Sequence, residues 1–263
     1  MQPKDGRGSE LEKKVAKINR TELPRRSRLK KFLQARLSSE SFVGLHLTVG
    51  LLTLAIAALL FVVIALSVSS GNALPLLDAR INVWLHAHNT PGLTTLFLLI
   101  SDLHSNLVVT LVTLGICACL WVKHLRYWIL TFVLTVFGGM LLNHLLKILF
   151  VRPRPYFDDP ILVLTTFSFP SGHTMLAVVF YGALCVFAAA RFRVWKFRVP
   201  VILVGILMIC LVGFSRMYLG VHYLSDVLGA MVEGLAWLAI CLIAVGILRT
   251  RVRGARGSVK PGA

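Results

Sequence analysis

The sequence predicts an all-α integral membrane protein built as a bundle of six spans. Three observations carry that prediction. Of 263 residues, 57% are hydrophobic and only 15% are charged, too little polar cover for the surface of a soluble domain of this size. Apolar stretches of the ~20 residues that cross a bilayer recur along the chain. The basic residues gather at the chain ends and in alternate loops, as they do in loops retained in the cytoplasm.

Residues 1–41 form a polar arm that holds twelve of the 28 Lys and Arg residues. Pro24 and the Arg25–Arg26 pair discourage a packed core there, so the arm is expected to be largely disordered, with a basic helix on the membrane surface as the ordered alternative. The first apolar run, from about Phe42 to Val68, is too long for a signal-peptide core and lacks the short basic start of one; it reads as a retained anchor. The membrane domain, 42–248, has spans expected near 42–69, 104–122, 126–148, 172–190, 198–216 and 222–248. Between the first two, Asp78, Arg80, His86, His88 and Asn89 interrupt Gly71–Leu103. That stretch is expected to be interfacial or re-entrant, with Pro91 starting a short helix. The tail, 249–263, is basic and Gly-rich.

An even span count puts both termini on one side, and the basic loops put that side in the cytoplasm of a multi-pass protein of the cell (plasma or inner) membrane. The outward connections are then 70–103, 149–171 and 217–221. With the adjoining helix ends they hold five cations, Arg80, Lys147, Arg152, Arg154 and Arg216. Cations on that side run against the topological bias and call for a separate explanation.

A formal charge of +17 raises the possibility of nucleic-acid binding, but the placement of the charge argues against it and favours contact with anionic lipid. The five cysteines, Cys117, Cys119, Cys185, Cys210 and Cys241, all fall inside apolar runs. Cys117 and Cys119 face different sides of a helix and make no metal clip. No spacing among the five suggests a disulfide framework.

The polar residues at the outward ends of spans three to six are of a different kind. Lys147 precedes Arg152-Pro153-Arg154-Pro155, where the prolines hold the chain extended. Pro170-Ser171-Gly172-His173 opens span four. Ser171 is a natural N-cap there, and the free amides of a helix start bind anions. Ser215-Arg216 ends span five, and His222 precedes Asp226 by four residues, a spacing that puts both on one helix face. The carboxylate can then hold one ring nitrogen and leave the other aimed outward. Two histidines, an aspartate, several cations and a helix start suit a phosphate group. No carboxylate cluster of the kind magnesium prefers accompanies them, so neither a metal nor another cofactor is required.

These residues closely resemble the type 2 phosphatidic acid phosphatase superfamily, which shares its site with vanadium haloperoxidases. Lys, six residues and Arg-Pro are matched by Lys147, Arg154 and Pro155. Pro-Ser-Gly-His is matched by residues 170–173. Ser-Arg, five residues, His, three residues and Asp are matched by Ser215, Arg216, His222 and Asp226. The resemblance covers roughly 42–248 and implies the six-span phosphatase/haloperoxidase-like core. It implies His222 as the nucleophile that forms a phosphohistidine, Asp226 as its orienting carboxylate, and His173 as the acid for the leaving group. It implies Lys147, Arg154, Ser171, Gly172 and Arg216 as the phosphate cradle, with Arg152 behind it. The implied activity is metal-independent hydrolysis of a lipid phosphate or diphosphate at the outward face. Undecaprenyl diphosphate is the favoured substrate, and phosphatidic acid and phosphatidylglycerol phosphate are rivals. Lipid-to-lipid phosphotransfer would use the same intermediate. A haloperoxidase would share the motifs but looks soluble, and a transporter or scaffold would not explain them.

Other polar positions read as structural. Glu233, seven residues after Asp226, is expected to be a protonated, hydrogen-bonded carboxyl inside the bundle. Asn143, one turn before Lys147, is expected either to orient it or to pack. His46, His104 and His144 lack a partner at motif spacing, and Asp102 with His104 is placed to cap a helix or to approach the site. Gly229 and Gly234 are expected to allow close packing.

Overall fold

A computed structural model describes residues 45–71, 73–192 and 194–258, with the side chains of 45–46 and 253–258 excepted. The basic arm, 1–41, lies outside the described residues, as do the last five residues of the tail. The chain divides into two units, Met1–Val49 and Gly50–Ala263. In the first, the described residues 45–49 are helical. The second holds the bundle.

The described residues form eight helices: α1 (Leu45–Ser69), α2 (Ala73–Ala87), α3 (Pro91–Leu103), α4 (Asn106–Val122), α5 (Arg126–Phe150), α6 (Gly172–Arg191), α7 (Trp195–Tyr218) and α8 (Leu224–Ser258). Five of them are long and apolar enough to cross a membrane; α3 and α4, bent by 47° at their junction, supply a sixth span if counted as one. The bend has a local cause. Ser105 caps α4 by accepting from the Val108 amide at 3.4 Å, and His104 ends α3 with its Nε2 2.6 Å from the Tyr181 hydroxyl. The interfacial stretch is two helices, and Pro91 stands at the first position of α3. At the far end, α8 runs on through Arg249 and Arg251 to Ser258. Nothing between Arg249 and Ser258 is a strong helix breaker except two glycines, and the first proline is Pro261.

Helix α6 is the hub. Leu176, Val179 and Ala183 on it are fully buried, against Val136 and Phe132 of α5 and Ala230 of α8. The bundle's outer surface is the opposite case: Leu59, Leu66, Leu107 and Leu149 are all more than 60% exposed, an apolar periphery suited to acyl chains. Two glycines of α8 set its distance from its neighbours. A Cβ at Gly234 would lie 2.8 Å from Val178 Cβ and 3.2 Å from the Met175 carbonyl oxygen; one at Gly229 would lie 2.6 Å from Phe169. The second contact matters for function. Phe169 is fully buried between Phe61 and Phe150, with ring centroids at 5.8 and 4.9 Å. It pins the irregular 151–171 loop into the bundle directly before the Pro-Ser-Gly-His segment. At the loop's start, Val151 adopts a left-handed φ of 48° and donates its amide to Lys147 O, which turns the chain back across the helix ends.

Candidate active site

The end of α5, the start of α6, the end of α7 and the turn before α8 meet around a cavity of about 250 Å³. Six of the eight residues singled out from the sequence line it: Lys147, Arg154, Gly172, His173, Arg216 and His222. Asn143, His144 and Thr166 line it as well. The two others, Ser171 and Asp226, are fully buried behind the lining.

His222 sits in the turn between α7 and α8, outside both spans. Its Nδ1 is 3.3 Å from Asp226 Oδ2 and its Nε2 is 3.2 Å from Arg154 Nη1. A carboxylate only accepts and a guanidinium only donates, so Nδ1 carries the proton and Nε2 presents its lone pair. Burial pushes the imidazole pKa down to about 3, against the opposing pull of the Asp226 hydrogen bond, so the ring is neutral at ordinary pH.

Asp226 is saturated with donors. Oδ2 accepts from the Tyr223 amide at 2.9 Å and from the Ser168 hydroxyl, and Oδ1 accepts from Arg152 Nη1 at 2.5 Å. Arg152 also lies 4.3 Å above the Tyr223 ring. Arg152 stands outside the cavity lining, in contact with the carboxylate that braces His222.

The cations are held by protein carbonyls. Lys147 Nζ donates to Phe167 O at 2.7 Å and to Ser168 O at 3.2 Å. Arg154 donates to Thr166 O at 2.6 Å, Thr166 Oγ1 at 2.8 Å, Phe167 O at 3.2 Å and Val221 O at 2.7 Å. Burial lowers the Arg154 pKa, an effect that the charge of Asp226 opposes. Arg216, 1% exposed, donates Nη1 to Ser101 Oγ, and its Nε is buried without a partner.

One expectation needs correction, and another is narrowed to one of its two alternatives. Ser171 stands at the N-cap of α6 but makes no side-chain cap bond. Its hydroxyl instead accepts from Thr174 Oγ1 at 3.0 Å, and its amide donates to Asp226 O at 3.1 Å. It therefore ties α6 to α8 and is not among the residues that line the cavity. Asn143 does not touch the Lys147 ammonium; its Nδ2 donates to Glu233 Oε2 at 2.9 Å and lies 3.4 Å from Pro170 O, because its face of α5 points at α8. Glu233 is buried, and its second oxygen has no partner. His104 is a buried packing residue bonded to Tyr181 and to Ile100 O. The side chain of His46 lies outside those described. Among the described residues no three His, Cys, Asp or Glu side chains are grouped to hold a metal.

Sequence reasoning missed the hydroxyls of Thr166 and Ser168, although two hydroxyl residues just before Pro-Ser-Gly-His were a readable signal. It also gave Asp78 and Asn82 no role.

The PAP2 superfamily model matches residues 126–249. Phosphatidylglycerophosphatase B of Bacillus subtilis (strain 168) is 39% identical over 112 residues, which are 42% of this chain and 55% of that protein. Undecaprenyl-diphosphatase BcrC of the same organism is 35% identical over 103 residues, 38% of this chain and 48% of the relative. The matched stretch thus spans about half the length of these curated relatives. The crystal structure of a transmembrane PAP2-type phosphatidylglycerolphosphate phosphatase from Bacillus subtilis superposes with a TM-score of 0.66 at 27% identity, covering 80% of this chain and 99% of the other. The PAP2 superfamily model thus matches just under half of this chain, residues 126–249, within an all-helical, multi-pass membrane protein.

Proposed function

We propose that this chain is a membrane lipid phosphatase that works through a phosphohistidine on His222. The single observation that carries the proposal is the polarity of His222: a carboxylate fixes the proton on Nδ1, and Nε2 faces a cavity lined by Lys147, Arg154 and Arg216. A neutral imidazole so oriented is a nucleophile toward phosphorus, and three cations suit the charge of a phosphoryl group in its transition state.

In the first step Nε2 forms a bond to the terminal phosphorus, the bond from that phosphorus to the leaving oxygen (the bridging oxygen of a diphosphate, the lipid oxygen of a monoester) breaks, and protonated His173 gives its proton to that oxygen. Asp226 balances the charge on the His222 ring. In the second step His173 takes a proton from water, the water oxygen bonds to phosphorus, and the N–P bond breaks to release phosphate and neutral His222. An incoming phosphate oxygen competes for the Arg154 Nη1–H that faces Nε2, which frees the lone pair to attack. The Gly172 amide at the start of α6 adds a donor to the cavity wall.

The favoured substrate is an isoprenoid lipid diphosphate, undecaprenyl diphosphate, taken at the outward face with both termini in the cytoplasm. Phosphatidylglycerophosphate is the second reading, because the phosphatidylglycerophosphatase named above is one of the relatives and the superposed crystal structure bears the same activity in its name. The reaction needs no metal, and vanadate inhibits by occupying the cradle as a transition-state mimic.

The test is phosphate release by purified wild type and His222→Ala from diphosphate and monophosphate lipids, with EDTA present. Loss of release in His222→Ala on at least one lipid is the expected result; equal release by both proteins ends the proposal. Transfer of phosphate to an added lipid alcohol without release would replace hydrolysis with phosphotransfer.

A further inference from the structure

Helix α2 lies outside the residues that match the superfamily model, yet it carries two buried polar side chains one turn apart. Asp78 is 0% exposed and Asn82 is 3% exposed. Both reach the turn that carries the reacting pair. Asp78 Oδ1 accepts from the Ser225 amide at 2.9 Å, and Oδ2 accepts from Ser225 Oγ at 2.5 Å and from Arg152 Nη2 at 2.9 Å. Asn82 Nδ2 donates to the backbone carbonyl of His222 at 3.3 Å.

Arg152 is therefore shared. One of its nitrogens holds Asp78 and the other holds Asp226. Its side chain is 11% exposed and both carboxylates are fully buried, so one guanidinium stands between two buried anions. A buried charge left without its partner is strongly destabilising. The Asp78 carboxylate thus fixes Arg152, and Arg152 fixes the rotamer of Asp226. From the same carboxylate, the Ser225 amide receives a cap at the first turn of α8, supplied from a neighbouring helix.

Resting on the reading of His222 and Asp226 as the reacting pair, we propose that Asp78 and Asn82 are positioning residues for the nucleophile. Together they clamp the 222–226 turn from outside, so that Nε2 is already aimed when the phosphate arrives. Neither lines the cavity, so neither contributes to holding the phosphate. Their loss lowers the rate of phosphoryl transfer and leaves substrate affinity in place.

The experiment compares Asp78→Asn, Asn82→Ala, Arg152→Gln and the Asp78→Asn/Arg152→Gln double variant with wild type and His222→Ala, all as full-length protein. Steady-state phosphate release gives kcat and KM; single-turnover alkaline quench, under which a phosphohistidine survives, gives the rate of phosphoenzyme formation, and a thermal melt gives folding. Asp78→Asn is expected to lower kcat and phosphoenzyme formation by about tenfold or more with KM within about twofold. Asn82→Ala is expected to lower them by about threefold or more, since a single neutral hydrogen bond is worth about 1 kcal/mol. The double variant should be no slower than the worse single one, because the two residues act as one unit. If Asp78→Asn does not fold, Asn82→Ala decides. Folded variants with wild-type kcat, or with a raised KM alone, overturn the clamp while an inactive His222→Ala leaves the phosphatase reading standing. Undiminished release by His222→Ala overturns the phosphatase reading itself.

Discussion

Arg154 Nη1 stands 3.2 Å from Nε2 of His222, the nitrogen that faces the cavity. The other nitrogens of Arg154 are committed to the 166–167 segment, so the guanidinium is held in place before any anion arrives. Lysine keeps the charge but not the planar fork. Arg154→Lys is expected to lower kcat/KM about 100-fold, the scale of losing one preorganised donor at a reacting centre. Phosphate release measured on one lipid substrate checks it, and a loss under about threefold would remove Arg154 from the reacting centre.

The pH behaviour of His222 has a definite sign. Its folded pKa is about 3, below the ordinary 6.5. Between those values the unfolded chain binds a proton that the folded chain does not, so stability rises with pH across that window and is lost as pH falls below about 6.5. By linkage the loss attributable to this residue at pH 4.5 is on the order of 2 kcal/mol. Thermal melts at pH 7 and pH 4.5 should show a larger drop for wild type than for His222→Asn. The free enzyme's kcat/KM should show no acid limb near 6.5 from this residue; a limb there that vanishes in no other single histidine variant would contradict the assignment.

Ser168 donates to the same Asp226 oxygen that faces His222 Nδ1. Ser168→Ala removes that donor and keeps the volume. It is expected to lower kcat about tenfold with little change in KM, since a hydrogen bond to a charged group is worth about 1.5–3 kcal/mol. An unchanged kcat would leave Ser168 a loop-packing residue only.

Glu233 tests the other side of the cavity. Its one bonded oxygen accepts from Asn143, which lines the cavity wall. Glu233→Gln keeps that acceptor and is expected to retain activity within about threefold, whereas Glu233→Ala strands the buried Asn143 and costs about 1–3 kcal/mol of stability. Melting curves and phosphate release on the two variants separate these effects. A folded, inactive Glu233→Gln would assign the carboxylate to the chemistry.

The phosphate-facing residues were legible because the chemistry is written in short spacings. His222 and Asp226 share a helical face by arithmetic alone, and Lys147, Arg154, His173 and Arg216 could be placed at one end of the bundle by counting spans. The carboxylate network was not legible. Asp78 meets Ser225 across 147 positions and Asn82 meets His222 across 140, and no local pattern encodes a pairing at that separation. Arg152 and Arg154 look alike in an Arg-Pro-Arg-Pro run. Motif spacing set Arg154 in the cradle and Arg152 behind it, but that Arg152 bridges Asp226 to Asp78 was not legible there.

The sequence by itself determined the class of this protein, a helical bundle in a bilayer, because hydrocarbon demands long apolar runs with internally bonded backbone and such runs can be counted. It also determined which residues could handle phosphate, because those groups recur at helix ends with helical spacing. Tertiary structure alone decided which donor meets which acceptor. It bonded Ser171 to Thr174 and the Asp226 carbonyl, turned Asn143 toward Glu233, and set Arg152 between Asp78 and Asp226. The reason is that a buried charge must find a partner, and packing rather than sequence distance determines which one is within reach.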